Sequence, residues 1–316
     1  MLRSVLISLT MIILLPVSAL AQSCSFSVSS VDFGNVDTLT GAVADTTASV
    51  DVTCSSGLLT NVRVCLNINA GSGGATSGTR HMRNAANAAL DYTFYQDAAR
   101  TIPWGSRTNT ALGSPVALNF TQLLGSTTQS RTIYARVFAN QQSAAAGLYT
   151  SIFSGAQVSF NYTTYLLISN PPACSTVTQN TTQPSFTTQA NVIPNCSVTA
   201  QNINFGSHGV LSSQVDATGG INVTCTPGTN YTIGLNNGLS GTGPTARRMT
   251  LGGGSVLYGL YKDAARSQPW GNAGGDLATG TGAGATQSLP VYGRVPSQPT
   301  PAAGLYTDTV VVTVTY

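Results

Sequence analysis

A fourteen-residue block occurs twice in this chain, and that duplication limits the possible folds more than any other feature. Tyr92, Tyr95, Asp97-Ala98-Ala99-Arg100 and Pro103-Trp104-Gly105 return at identical spacing as Tyr258, Tyr261, Asp263-Ala264-Ala265-Arg266 and Pro269-Trp270-Gly271. Four further correspondences keep the same order. Cys24 precedes Phe33-Gly34 as Cys196 precedes Phe205-Gly206. Cys54 follows Cys24, and Cys225 follows Cys196, at nearly equal distance. Tyr134, Arg136 and Val137 match Tyr292, Arg294 and Val295, and Ala145-Ala146-Gly147-Leu148-Tyr149-Thr150 matches Ala302-Ala303-Gly304-Leu305-Tyr306-Thr307. An ordered set of repeats at long period means two homologous domains. The 316 residues allow two units, each large enough for a core. The expected division is 22–165, a linker over 166–195 and 196–316. The linker is rich in Thr, Gln and Asn and carries Pro171-Pro172 near its start.

Composition decides what kind of domain is repeated. Only 7% of residues are charged, every acid is Asp, and Lys262 is the one lysine. A chain so poor in Glu and Lys lacks ordinary helix formers, whereas Thr, Val and Tyr suit strands and Gly and Asn suit turns. Val50, Val52 and Cys54 alternate with Asp51 and Thr53. Val62, Val64, Leu66 and Ile68 alternate with Arg63, Cys65, Asn67 and Asn69. Val158, Phe160 and Tyr162 repeat the pattern, as do Val310, Val312, Val314 and Tyr316. Period-two alternation gives strands with one buried and one wetter face. The expected fold class is all-β, two tandem β-sandwiches. The net charge of +3, spread over scattered basic residues, argues against a nucleic-acid partner.

The first 21 residues read as a secretory signal peptide: Arg3, a mostly apolar run from Val5 to Leu15, then Ala19-Leu20-Ala21 as a cleavage site. Export favours disulfides among Cys24, Cys54, Cys65, Cys174, Cys196 and Cys225, and spacing alone leaves fifteen pairings open. With no CxxC and two histidines, His81 and His208, a metal site is not expected. Asp97, Arg100 and their copies sit beside Pro-Trp-Gly in both repeats. That placement suits a structural turn better than catalysis. No nucleophile elbow, zincin or phosphate-cradling motif occurs, so neither catalytic residues nor a cofactor are expected.

The duplicated blocks resemble the spore coat protein U domain, which also forms the subunits of archaic chaperone–usher pili of the Csu type. The resemblance covers nearly the whole mature chain, twice. It implies pairings Cys24–Cys54 and Cys196–Cys225. Cys65 and Cys174, absent from the second repeat, are left to pair with each other, with a free buried thiol at Cys65 as the alternative. It implies Ig-like, pilin-type sandwiches, the C-terminal one lacking an edge strand. The groove so left would involve Val310, Val312, Val314 and Tyr316. A periplasmic chaperone fills such a groove first and the donor arm of an adjacent pilin later, at an outer-membrane usher. Only Gln22 and Ser23 precede Cys24 after the expected cleavage, too little for a donor arm.

On this resemblance the chain accepts a strand and donates none to a neighbour, as a two-domain pilus-tip adhesin would, exported through the periplasm to the cell surface. The linker residues Phe186, Thr188, Ala190 and Val192 share one face of an extended segment and are expected to complete the first domain in cis; a solvated linker is the plain alternative. Leu58-Leu59 and Leu123-Leu124 are candidate loop contacts to an abiotic or host surface, or merely seals at the end of the sandwich. The competing function is a non-fimbrial coat or matrix protein, with an exported carbohydrate-binding module or enzyme a third reading.

Overall fold

The computed structural model describes residues 23–56, 60–121 and 125–316. The proposed signal peptide, Leu58-Leu59 and Leu123-Leu124 lie outside the described residues. Each half is a two-sheet sandwich, in agreement with the alternating patterns. In the N-terminal half one sheet runs in the order Ser23–Val28, Ala44–Ser56, Gly125–Val137, Ala89–Tyr95, Thr79–Arg83, Gly147–Phe153, Phe186–Val192, Val31–Val36. Across it lies the order Val158–Leu166, Thr60–Ile68, Val116–Phe120. Val50, Val52, Val64, Leu66, Phe94, Ile133 and Phe160 fill the space between them and are fully buried.

The C-terminal half repeats this plan strand for strand, up to a point. Its larger sheet is Cys196–Ala200, Val215–Cys225, Gln287–Val295, Gly254–Tyr261, Arg247–Leu251, and its smaller sheet is Ala278–Thr281, Asn230–Leu235, Val312–Thr315. The larger sheet stops where the N-terminal one continues for three more strands.

The duplicated blocks do local structural jobs. Asp97 accepts hydrogen bonds from the Thr101 and Ile102 amides at 3.0 and 2.8 Å, and Asp263 accepts from Ser267 and Gln268 at 3.0 and 2.7 Å. Each closes a turn in which the following Arg100 or Arg266 takes positive φ, at 58° and 57°. Arg100 and Arg136 converge on Asp45, as Arg266 and Arg294 do on Asp216. The Arg136 hydrogen bond holds the Asp45 carboxyl below its usual range, and Arg294 does the same to Asp216. Trp104 and Trp270 are buried, and their indole N–H groups donate to Leu66 O and Ile233 O at 2.9 and 3.0 Å. The aspartate–arginine turn is therefore a structural element.

Two buried arginines were not singled out from sequence. Arg80 donates to the carbonyls of Asn69, Ile68 and Trp104 at 2.7, 2.8 and 2.8 Å and lies over the Phe94 ring. Arg247 does the same to Asn236, Leu235 and Trp270 at 2.8, 3.0 and 2.8 Å. Burial pushes the Arg80 guanidinium down to about 10, so it stays charged at neutral pH and bolts three loop carbonyls together. The signal was present: Arg80-His81-Met82 and Arg247-Arg248-Met249 share Arg-x-Met at the same place in the repeat.

The disulfides join Cys24 to Cys54, Cys196 to Cys225 and Cys65 to Cys174. Cys65 and Asn67 occupy the face that alternation marks as wet, yet both are buried. The linker covers that face. Asn161 Nδ2 donates to Thr181 Oγ1 at 2.7 Å, and Phe160 and Thr182 exchange backbone hydrogen bonds at 2.9 and 2.8 Å.

Candidate functional site

After Thr182 the linker leaves the smaller sheet and crosses to the larger one. There Phe186–Val192 lies between two strands of the N-terminal half. It pairs antiparallel with Gly147–Phe153, with Phe186 opposite Phe153, Thr188 opposite Ser151, Ala190 opposite Tyr149 and Val192 opposite Gly147. On its other side it pairs in parallel with Val31–Val36. Phe186, Thr188, Ala190 and Val192 all point inward and are buried. Phe186 stacks on Phe153 with centroids 4.5 Å apart. The Tyr92 hydroxyl is enclosed near the Ser151 and Thr188 hydroxyls, and burial pushes its pKa up to about 12. Burial of the Phe186 and Val192 side chains contributes roughly 1.5–3 kcal/mol each.

The C-terminal half keeps both neighbours of this strand without the strand itself. Residues 304–310 correspond to Gly147–Phe153, and 203–208 correspond to Val31–Val36. Thr307 exchanges backbone hydrogen bonds with Thr250 at 2.9 and 3.3 Å, as the paired Thr150 and Arg83 do in the first half. Among the described residues no strand pairs with the other edge of 304–310, or with 203–208. The consequence shows in burial. Tyr149, Ser151 and Phe153 are fully buried, whereas their counterparts Tyr306, Asp308 and Val310 are only half-buried. Val31 is sealed and Ile203 is not. Phe205 still packs edge-on against Tyr258, as Phe33 does against Tyr92, so the walls of the groove hold their shape.

The residues proposed from sequence for this groove sit on three parts of the C-terminal half. Val310 lies on the unpaired segment. Val312 and Val314 lie on the strand paired with Asn230–Leu235 and are half-buried against the core, where their counterparts Val158 and Phe160 are sealed. Tyr316 is 54% exposed, and its hydroxyl donates to Asn195 Oδ1 at 3.1 Å. The sequence reading missed Tyr306, Asp308, Ile203 and Phe205. Each could have been found by carrying the occupied strand's neighbours from the first repeat to the second.

The far end of the N-terminal half forms a second region. Ser56 and Gly125 are cross-strand partners at the end of their strands. Leu166, paired with Thr60, ends its strand at the same place. Leu166, Leu167 and Ile168 are 59%, 39% and 93% exposed. The opposite end of this half meets the C-terminal half, where Asn195 Nδ2 donates to Asp37 Oδ2 at 2.7 Å and the Ala146 amide to Pro227 O at 3.2 Å. Thirteen-residue strands separate the two ends, a reach of roughly 40 Å.

His81 is hydrogen-bonded to Asp91 at 2.6 Å and to Thr76 at 3.1 Å, and His208 to the Phe205 carbonyl at 2.6 Å. Among the described residues no three or more His, Cys, Asp or Glu side chains come together as a metal site would need.

A family model for the Spore Coat Protein U domain matches residues 10–155 and 181–313. The chain belongs to the spore coat protein U domain family. In this family's terms, Phe186–Val192 falls inside the second match, yet it folds into the first half. Protein U of Myxococcus xanthus is 32% identical over 168 residues, spanning 48% of this chain and 91% of that protein. Among solved structures, the fold is similar to the CsuC–CsuE chaperone–tip adhesion subunit pre-assembly complex of archaic chaperone–usher Csu pili of Acinetobacter baumannii. The TM-score is 0.52 at 16% identity, covering 93% of this chain and 100% of the matched one. The CupB6 tip adhesin of Pseudomonas aeruginosa matches with TM-score 0.39 at 16% identity, covering 92% and 93%.

Proposed function

We propose that the chain is the adhesive tip subunit of an archaic chaperone–usher pilus, assembled by donor-strand complementation and acting in surface attachment and biofilm formation. The observation that carries this reading is the asymmetry of the two halves: one groove is filled by Phe186–Val192, and its equivalent beside 304–310 holds no strand among the described residues. An unpaired apolar edge is an aggregation hazard unless something covers it. A chaperone strand in the periplasm, and then the donor arm of an adjacent pilin added at the usher, would cover it. The complete half then points away from the fibre and presents Leu166, Leu167 and Ile168 to an abiotic or host surface. A cluster of exposed apolar side chains adheres by area removed from water and needs no stereospecific receptor.

Periplasmic co-expression with and without the cognate chaperone tests the reading. The expected product is a soluble one-to-one complex whose chaperone cross-links map to the C-terminal half alone. A stable free monomer that binds no chaperone would overturn it and favour a non-fimbrial coat or matrix protein. The 32% identity to Protein U supports that second reading. It is tested by the same experiment.

A further inference from the structure

The two grooves are lined by equivalent positions, and one exchange puts a carboxylate in the open one. Ser151 in the filled groove is Asp308 in the open one. The role assigned to Asp308 rests on the strand-accepting function proposed for the C-terminal half. The tyrosines two residues earlier fix the alignment. Tyr149 donates to Ala145 O at 3.1 Å, and Tyr306 to Ala302 O at 2.9 Å, each four residues back.

Asp308 is held firmly. Its Oδ1 accepts from the Leu239 and Thr309 amides, both at 2.8 Å, and its Oδ2 accepts from the Tyr258 hydroxyl at 2.7 Å. The carboxylate packs over Gly238, at φ +75°, where a Cβ would lie 2.0 Å from Oδ2. These donors occupy three of the roughly four acceptor sites of a carboxylate and leave one on Oδ2. A strand added to 304–310 in the register of the first half sets its residue opposite Asp308 where Thr188 stands opposite Ser151. Cross-strand neighbours of this kind have Cβ atoms about 4.5–5.5 Å apart.

We propose that Asp308 is a specificity-determining residue of the open groove, which takes an extended strand from a separate subunit only when the inward residue opposite Asp308 donates a hydrogen bond. A Thr, Ser or Asn there completes the carboxylate. An aliphatic residue leaves an acceptor dry, and an acid places two carboxylates in one desolvated site. The rest of the pattern follows the strand that fills the first half: a bulky apolar residue at the Phe186 position, a small one at Ala190, a β-branched one at Val192. Val310 and Leu260 replace Phe153 and Phe94 at the first of these pockets, leaving it wide and aliphatic.

The test uses the full chain and three fluorescein-labelled peptides with the sequence of residues 183–195, carrying Thr, Val or Asp at position 188, read by fluorescence anisotropy. The expected order is Thr tightest, Val about tenfold weaker and Asp weaker still. Asp308→Ser should flatten the series. Asp308→Asn keeps the side-chain shape but adds an amide donor, and should favour the Asp peptide over Val; thermal melts establish that both variants are folded. Equal binding of all three peptides, unchanged by either substitution, overturns the role of Asp308 and leaves the groove reading intact. Failure of every peptide to bind also overturns the inference; a chaperone complex confined to the C-terminal half would still uphold the groove.

Discussion

The N-terminal and C-terminal halves follow one plan, and among the described residues they differ most in one strand, Phe186–Val192, which the first half holds between two neighbours. In the first, Tyr149, Ser151 and Phe153 are sealed by Ala190, Thr188 and Phe186. In the second, Tyr306, Asp308 and Val310 stay half-open. The core residues, the Trp–carbonyl bond, the buried arginine and the aspartate–arginine turn are present in both. Completing a sandwich is therefore separable from building one. The final strand can be supplied by sequence that belongs, by family, to the next repeat.

The sharpest way to break the comparison is to remove that strand. Deleting residues 183–192 should abolish the separate cooperative transition of the N-terminal half in urea and leave that of the C-terminal half in place. An unchanged N-terminal transition would mean that the inserted strand does not complete it. A milder form is Phe186→Ala, which empties the stack on Phe153. It should cost the N-terminal half roughly 3–5 kcal/mol.

The next test uses the one bridge the halves do not share. Cys65–Cys174 closes a loop with a sequence separation of 109, against 30 and 29 for the other two. On the chain-entropy argument, the double substitution to Ala should destabilise the N-terminal half by about 4–5 kcal/mol. The C-terminal transition should not move.

Features common to both halves should respond alike. Arg80→Met strands three carbonyls and Arg247→Met four, Pro244 O among them, and each should lower the stability of its own half by about 2–4 kcal/mol. A markedly smaller loss at Arg247 would show that the open groove lets water reach those carbonyls.

The smallest expected effect is in pH. Asp45 and Asp216 have folded pKa values below their ordinary 3.8, through their bonds to Arg136 and Arg294. Unfolding raises those values, so the contribution is full above about pH 4 and is lost as pH falls through the folded values. Melting temperatures of both halves should decline together below pH 4 and stay flat, on this account, from 5 to 8. A decline confined to one half would break the equivalence of the two networks.

Particular residues show which parts of the molecule were open to sequence reasoning. Val158 and Phe160 alternate as Val312 and Val314 do, and both pairs lie on strands packed against the core. Alternation reports which face is inward. It does not report what stands across from that face, so covered Phe160 and half-covered Val314 read alike. Cys65 and Asn67 read as wet because their cover, residues 174–182, is distant in sequence and polar. Leu166, Leu167 and Ile168 fell in the expected linker, since exposure at a sandwich tip leaves no periodic mark. Asp308 was hidden because it stands where Ser151 stands, one small polar residue for another. Its importance emerged only with the Tyr258, Leu239 and Gly238 contacts.

The inserted strand also sets the path of mechanical load. Tension on the C-terminal half reaches the N-terminal half through Ile193–Asn195, and so along the axis of Phe186–Val192. A strand pulled lengthwise between two neighbours must break its hydrogen bonds together, and its release is governed by a rate. Should it slip out, Cys174 remains bonded to Cys65. The unravelling then halts after the 18 residues from 175 to 192, a contour length of roughly 60 Å. The strand stays tethered beside its groove at that stop and can return when the force relaxes.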